Sequence, residues 1–143
     1  MNKNTLLGLV FGVWALSASA SLAHSLTVRV EAAGRAEGQV VAALFSSEED
    51  FLKRPISTQS VKISGSGLAN VVFSGLTPGE YAVVVIHDED EDGKMTRGIL
   101  GIPKEAYAFS KNIVSRLRKP AFDEAKVAVA ADEEIEVRLP VSR

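Results

Sequence analysis

The residues best suited to chemistry stand in one short run, Asp88-Glu-Asp90-Glu-Asp92-Gly93-Lys94. Five carboxylates in succession repel one another, and solvent or a cation must offset that repulsion in an ordered loop. Asp at positions 1, 3 and 5 with Gly at 6 is the first half of a calcium-binding loop. Short carboxylates two apart converge on one ion as the chain curls, and the glycine permits the turn. The Lys94 carbonyl at position 7 and Thr96 at position 9 supply further oxygens. Position 12 is Ile99, which carries no carboxylate, so this is not a helix–loop–helix site. Glu105 is the candidate to complete the shell from outside the loop. Oxygen-only ligands favour Ca²⁺ over zinc or copper. The competing reading is a solvated acidic turn that holds no ion.

The two histidines offer less. By alternation His87 shares a face with Tyr81, Val83 and Val85, and its plain reading is a hydrogen-bonded residue at a sheet edge. His24 would become the N-terminal residue if the chain were cut after Ala23. Its amine and imidazole, with His87 as a third nitrogen donor, would then suit Cu(II). Lys111, Arg116, Arg118 and Lys119 form a basic cluster that reads mainly as a solvated face. There is no Gly-x-Ser-x-Gly elbow and no cysteine, and two histidines leave few nucleophile–base pairs. The chain therefore reads as non-catalytic, with a copper- or carboxylate-dependent envelope enzyme as the minor alternative.

These residues need a scaffold, and the sequence supplies strands. Residues 1–23 look like a secretory signal: Lys3, an apolar run from Leu6 to Leu16, then small residues. The run is shorter than the roughly 18 apolar residues of a membrane span. Cleavage fits after Ala20 or after Ala23. Removing residues 1–23 from the 143 leaves 120, enough for one domain with a core, at 24–143. The removed segment carries one of the 16 basic residues and no acid. The remainder holds 15 basic and 18 acidic residues, net −3, with no pull toward nucleic acid. Without cysteine no disulfide staples the fold.

Along the chain, Leu26–Glu31 alternates as a half-buried strand, and Gln39–Phe45 is apolar on both faces, as a central strand is. Glu48–Lys53 suggests one helical turn. Val61–Ile63 and Leu68–Phe73 are short strands, and Leu76-Thr-Pro-Gly79 is a turn before the strongest strand, Tyr81–His87. Lys126–Ala130 and Glu134–Leu139 close the set. Seven short strands predict an all-β domain, a single antiparallel sandwich of immunoglobulin-like or transthyretin-like type. Tyr81, just after the turn, is placed to return its hydroxyl to the loop as a tyrosine corner. Asp88–Ala125 lacks strand rhythm but is too apolar for a disordered tail, and so predicts an ordered excursion packed on the sandwich.

The block His87-Asp-Glu-Asp-Glu-Asp-Gly-Lys-Met, then Gly101-Ile-Pro-Lys-Glu105, Phe109-Ser110 and Pro120-Ala-Phe122-Asp-Glu-Ala125, resembles the bacterial exported proteins grouped as domain of unknown function 2141. The approach Leu76-x-Pro-Gly-x-Tyr-Ala82 also matches. Asp90 and Asp92 stand where that family has Asn, which keeps an oxygen and adds charge. Thr96 replaces an acid or Asn, and Ala108 replaces a Gly. The resemblance implies a secreted or periplasmic β-sandwich whose working surface is Asp88–Glu105, and it implies no particular activity. The expectation is thus an exported module that binds Ca²⁺ through Asp88, Asp90, Asp92, Lys94, Thr96 and Glu105. It would present His87, Tyr107 and Phe109 to an envelope protein or glycan. The alternative is a purely structural or adhesion module without a metal.

Overall fold

A computed structural model of the chain describes residues 22–32, 37–93, 104–114 and 118–140. The fold is all-β. Among the described residues the strands are β1 (His24–Glu31), β2 (Gln39–Phe45), β3 (Ser57–Lys62), β4 (Leu68–Leu76), β5 (Gly79–Asp88), β6 (Tyr107–Phe109), β7 (Val127–Val129) and β8 (Glu133–Arg138), with a 3-10 turn at Ser110–Asn112 and one α-helical turn, α1 (Phe122–Ala125). They form two sheets. The smaller has the order β4-β1-β8; the larger runs β3-β2-β5-β6, with β7 also paired to β5.

The sheets face each other across a core to which β1, β4 and β8 contribute Leu26, Val28, Val30, Val71, Phe73 and Val137, and β2 and β5 contribute Val40, Ala42, Leu44, Val83 and Val85. The outer face of the small sheet is polar along β1 and β8, with Leu68 and Val72 of β4 exposed beside it. Arg29 meets Glu134 there, and Arg138 meets Glu31 and Glu136. The larger sheet is covered on both sides. Its outer face carries a second core of Phe45, Phe51, Ala82, Val84, Phe109, Phe122 and Ala125. This explains why β2 and β5 read as apolar on both faces: each alternates between two cores rather than between core and water.

Three expectations need correction. Each of the seven anticipated strands overlaps an observed one, though the third begins at Ser57 and ends at Lys62 rather than spanning Val61–Ile63, and among the described residues β6 is an eighth, inside the stretch that lacks rhythm. The pairing is not wholly antiparallel, because β1 and β8 run parallel, from Leu26↔Glu133 to Glu31↔Arg138. Side-chain alternation is the same in both kinds of ladder, so sequence does not distinguish them. Glu48–Lys53 forms consecutive turns rather than a helix. Leu52 sits there at φ 62°, a left-handed value that interrupts helical geometry.

Tyr81 does form the corner: its hydroxyl donates to the Thr77 carbonyl at 2.7 Å. The excursion packs as expected where it is described. Phe109 and Phe122 both close on Phe51, at ring-centroid distances of 6.3 and 5.8 Å, and Phe45 meets Phe51 edge-on at 5.4 Å. Ser110 pins this layer to the sheet. β7 pairs with Gly79–Tyr81 and β6 with Val84–Ile86, leaving a break in the ladder at Ala82–Val83. The Ser110 hydroxyl fills it, accepting the Val83 N–H at 3.0 Å and donating to the Ala125 carbonyl at 2.6 Å.

Candidate metal centre

β5 delivers His87 and Asp88 to one end of the larger sheet. Alternation puts His87 on the inner face beyond Val85, and both residues are buried, at 2% and 0% exposure. The start of β2 closes over them. Gln39 is the cross-strand partner of Asp88 on one side and of Lys62 on the other, so Lys62, Gln39 and Asp88 form one rung across β3, β2 and β5. Gly38, at φ +81°, lets the backbone come close: a Cβ there would stand 2.5 Å from the Asp88 carbonyl oxygen. The preceding Glu37 carbonyl lies 2.8 Å from His87 Nε2. A carbonyl only accepts, so Nε2 carries the proton.

The carboxylate of Asp88 is used unevenly. Its Oδ2 accepts from Gln39 Nε2 at 2.7 Å and from the Gly93 N–H at 2.9 Å. Its Oδ1 is buried without a hydrogen-bond partner, as is His87 Nδ1. Burial acts to raise the Asp88 pKa. The hydrogen bonds from Gln39 and Gly93, with smaller contributions from Asp90 and Asp92, outweigh it and hold the group below its ordinary value.

The loop beyond Asp88 curls as its composition demands. Asp90 Oδ1 accepts the Asp92 N–H at 3.3 Å. Glu91 and Gly93 both take left-handed backbone, at φ 59° and 73°. The Glu91 carboxylate turns away to pair with Lys62 on the edge strand β3. On the other side, the His87 N–H donates to the Ala106 carbonyl at 2.8 Å, which carries the β5–β6 pairing one step further. That step brings Glu105, 7% exposed, beside Asp88. Ligand oxygens of Asp88, Asp90 and Glu105 lie within 4.8 Å of one another. Oxygens bound to one Ca²⁺ at about 2.4 Å are at most about 4.8 Å apart, so the spacing suits a shared ion. Two like charges about 4 Å apart repel by roughly 4 kcal/mol at an effective dielectric near 20, which a cation would offset.

The residues expected at the site are thus divided. Asp88, Asp90 and Glu105 come together. Asp92 is exposed and contributes its N–H to Asp90. Lys94 and Thr96 lie outside the described residues. His87 and Phe109 are not on the surface: His87 is inside the fold and Phe109, 3% exposed, is part of the second core. Tyr107 is half-buried with its ring edge-on to Phe109 at 5.8 Å. Phe109 is closed off in the second core, so its presentation to a partner is corrected, whereas Tyr107 stays partly exposed.

The copper arrangement is not assembled either. His24 pairs with Leu76, just before β5 begins, whereas His87 lies near its end. At about 3.3 Å per residue the strand between separates them by some 25 Å. Of the basic cluster, Arg118 forms a two-armed pair with Glu124, at 2.7 Å for each bond. Sequence reading missed Glu37, Gly38, Gln39 and Lys62; the only local signal was Gly38, at the head of a strand.

The family described as "Uncharacterized protein conserved in bacteria (DUF2141)" matches residues 28–137. The chain belongs to this family. No curated protein and no solved structure matches it.

Proposed function

Proceeding from that membership, we propose that the protein is an exported, non-catalytic β-sandwich module that binds Ca²⁺ where β5 ends. Asp88, Asp90 and Glu105 are the central ligands, with Asp92, the Lys94 carbonyl and Thr96 as further oxygen donors. The observation that carries the reading is Asp88 Oδ1: a fully buried carboxylate oxygen with no partner, in a group of three converging carboxylates. Leaving such a group unmet costs about 1–3 kcal/mol, more when it is charged. A hard cation with oxygen ligands is the partner that this donor set fits. The ion would tie the acidic loop to Glu105, across the stretch between them, and so fix the surface offered to an envelope protein or glycan. Export rests on the signal-like residues 1–23 and places the module in the periplasm or outside the cell, where calcium is available.

The test is thermal unfolding of chelator-stripped protein as Ca²⁺ is added, with Mg²⁺ in parallel. An ion that binds only the folded state stabilises it by about 2.7 kcal/mol at a hundredfold excess over Kd. For a domain of this size Tm should rise by roughly 10 °C. The rise should saturate and should vanish in Asp90→Ala and Glu105→Ala. No shift up to millimolar Ca²⁺ would end the proposal and leave a structural or adhesion module whose acidic loop is only solvated.

A further inference from the structure

We infer that Gln39 is a positioning residue that makes Asp88 a one-oxygen ligand and thereby sets the Ca²⁺-to-Mg²⁺ preference of the centre. This rests on the metal reading above. An ionised carboxylate has about four lone-pair sites, two on each oxygen. Gln39 Nε2 and the Gly93 N–H occupy the two on Oδ2, at 2.7 and 2.9 Å. Oδ1 is buried and makes no hydrogen bond within normal distance, while Asp90 and the Asp92 N–H approach the carboxylate more weakly. All the remaining capacity of Asp88 is therefore on one atom, and a two-oxygen grip on an ion would require Oδ2 to release a donor.

Gln39 is well placed to impose this. It is directly opposite Asp88 in the β2–β5 ladder, and the Gly38 backbone beside it is already within contact of the Asp88 carbonyl. Its side chain comes from a different strand, so it holds the carboxylate independently of how the acidic loop is arranged. Lys62, the next residue along the rung, holds Glu91 in the same way.

The two ions respond differently to that restraint. Ca²⁺ takes six to eight oxygens at about 2.3–2.6 Å and accepts carboxylates through one or both. Mg²⁺ demands a near-octahedral shell at about 2.0–2.1 Å and takes one oxygen from each. Removing the Gln39 donor loosens the site for both ions, but the freed lone pair on Oδ2 can benefit only Ca²⁺. The ratio of the two affinities, not either one alone, reports the positioning role.

The experiment is isothermal titration of the purified chain with Ca²⁺ and, separately, with Mg²⁺, for the native protein and Gln39→Met. Gln39→Val, whose side chain favours strands, serves if the first variant does not fold. The native chain should bind both ions. In the variant the Mg²⁺-to-Ca²⁺ Kd ratio should rise at least threefold. The splitting between the two carboxylate stretches in the infrared difference spectrum on adding Ca²⁺ should narrow, as for a two-oxygen ligand. Binding that persists with an unchanged ratio and unchanged splitting would overturn the role of Gln39 and leave the metal reading standing. A native chain that binds neither ion would overturn both.

Discussion

Along the edge that β5 shares with β6 and β7, two buried polar neighbourhoods are satisfied to different degrees. Midway, the ladder breaks at Ala82–Val83, and one hydroxyl from Ser110 repairs it by engaging both the Val83 N–H and the Ala125 carbonyl. At the end of the same strand, His87 Nδ1 and Asp88 Oδ1 are equally buried and have no hydrogen-bond partner. The first neighbourhood shows that this chain does place a side chain where a backbone group would otherwise go unmet. The second, a few residues away, holds carboxylates rather than a hydroxyl: Asp88, Asp90 and Glu105. One end is finished by the protein itself; the other keeps a buried carboxylate oxygen without a hydrogen-bond partner.

The comparison can be broken most forcefully at the finished end. Phe51 touches Phe45, Phe109 and Phe122, so Phe51→Ala should lower stability by about 3–5 kcal/mol in denaturant unfolding. Next comes Ser110→Ala, which strands the Val83 N–H and the Ala125 carbonyl at once. We expect a loss of about 1–3 kcal/mol, with secondary structure retained by circular dichroism. If Ser110→Ala is neutral, the repair of the ladder is incidental and the contrast loses its meaning. The smallest effect is expected in acid. The two-armed bond from Arg118, together with the Ala121 N–H, holds Glu124 down to about 2, against an ordinary 4.5. A depressed folded-state pKa gives stability that is present above about 4.5 and lost as pH falls toward about 2. The pair is exposed, so the change in Tm across that window should be slight, and Arg118→Ala should remove it.

Much of the scaffold was legible because burial writes itself as periodicity. β2 and β5 are apolar on both faces since each lies between two cores, and that pattern announced them. β6 was not legible: Tyr107-Ala-Phe109 is three residues long, too short to show a period. The parallel sense of β1 and β8 leaves no mark in side-chain alternation. At the candidate centre, the alternation of Asp88 and Asp90 and the choice of Glu105 as an outside carboxylate came from ligand chemistry alone. Gln39 and Lys62 were invisible for the opposite reason. They are ordinary polar residues at strand ends, and only the register of β3, β2 and β5 brings them to the acidic loop.

The parallel ladder between β1 and β8 has a mechanical consequence. The six register pairs link the first strand to the last with both running the same way. A tension applied at His24 and Arg138 pulls the two strands in opposite directions along their length. The ladder is then loaded in shear, so its bonds share the force and must yield together instead of unzipping one by one. A module strung between two surfaces by its ends would resist extension at this seam first.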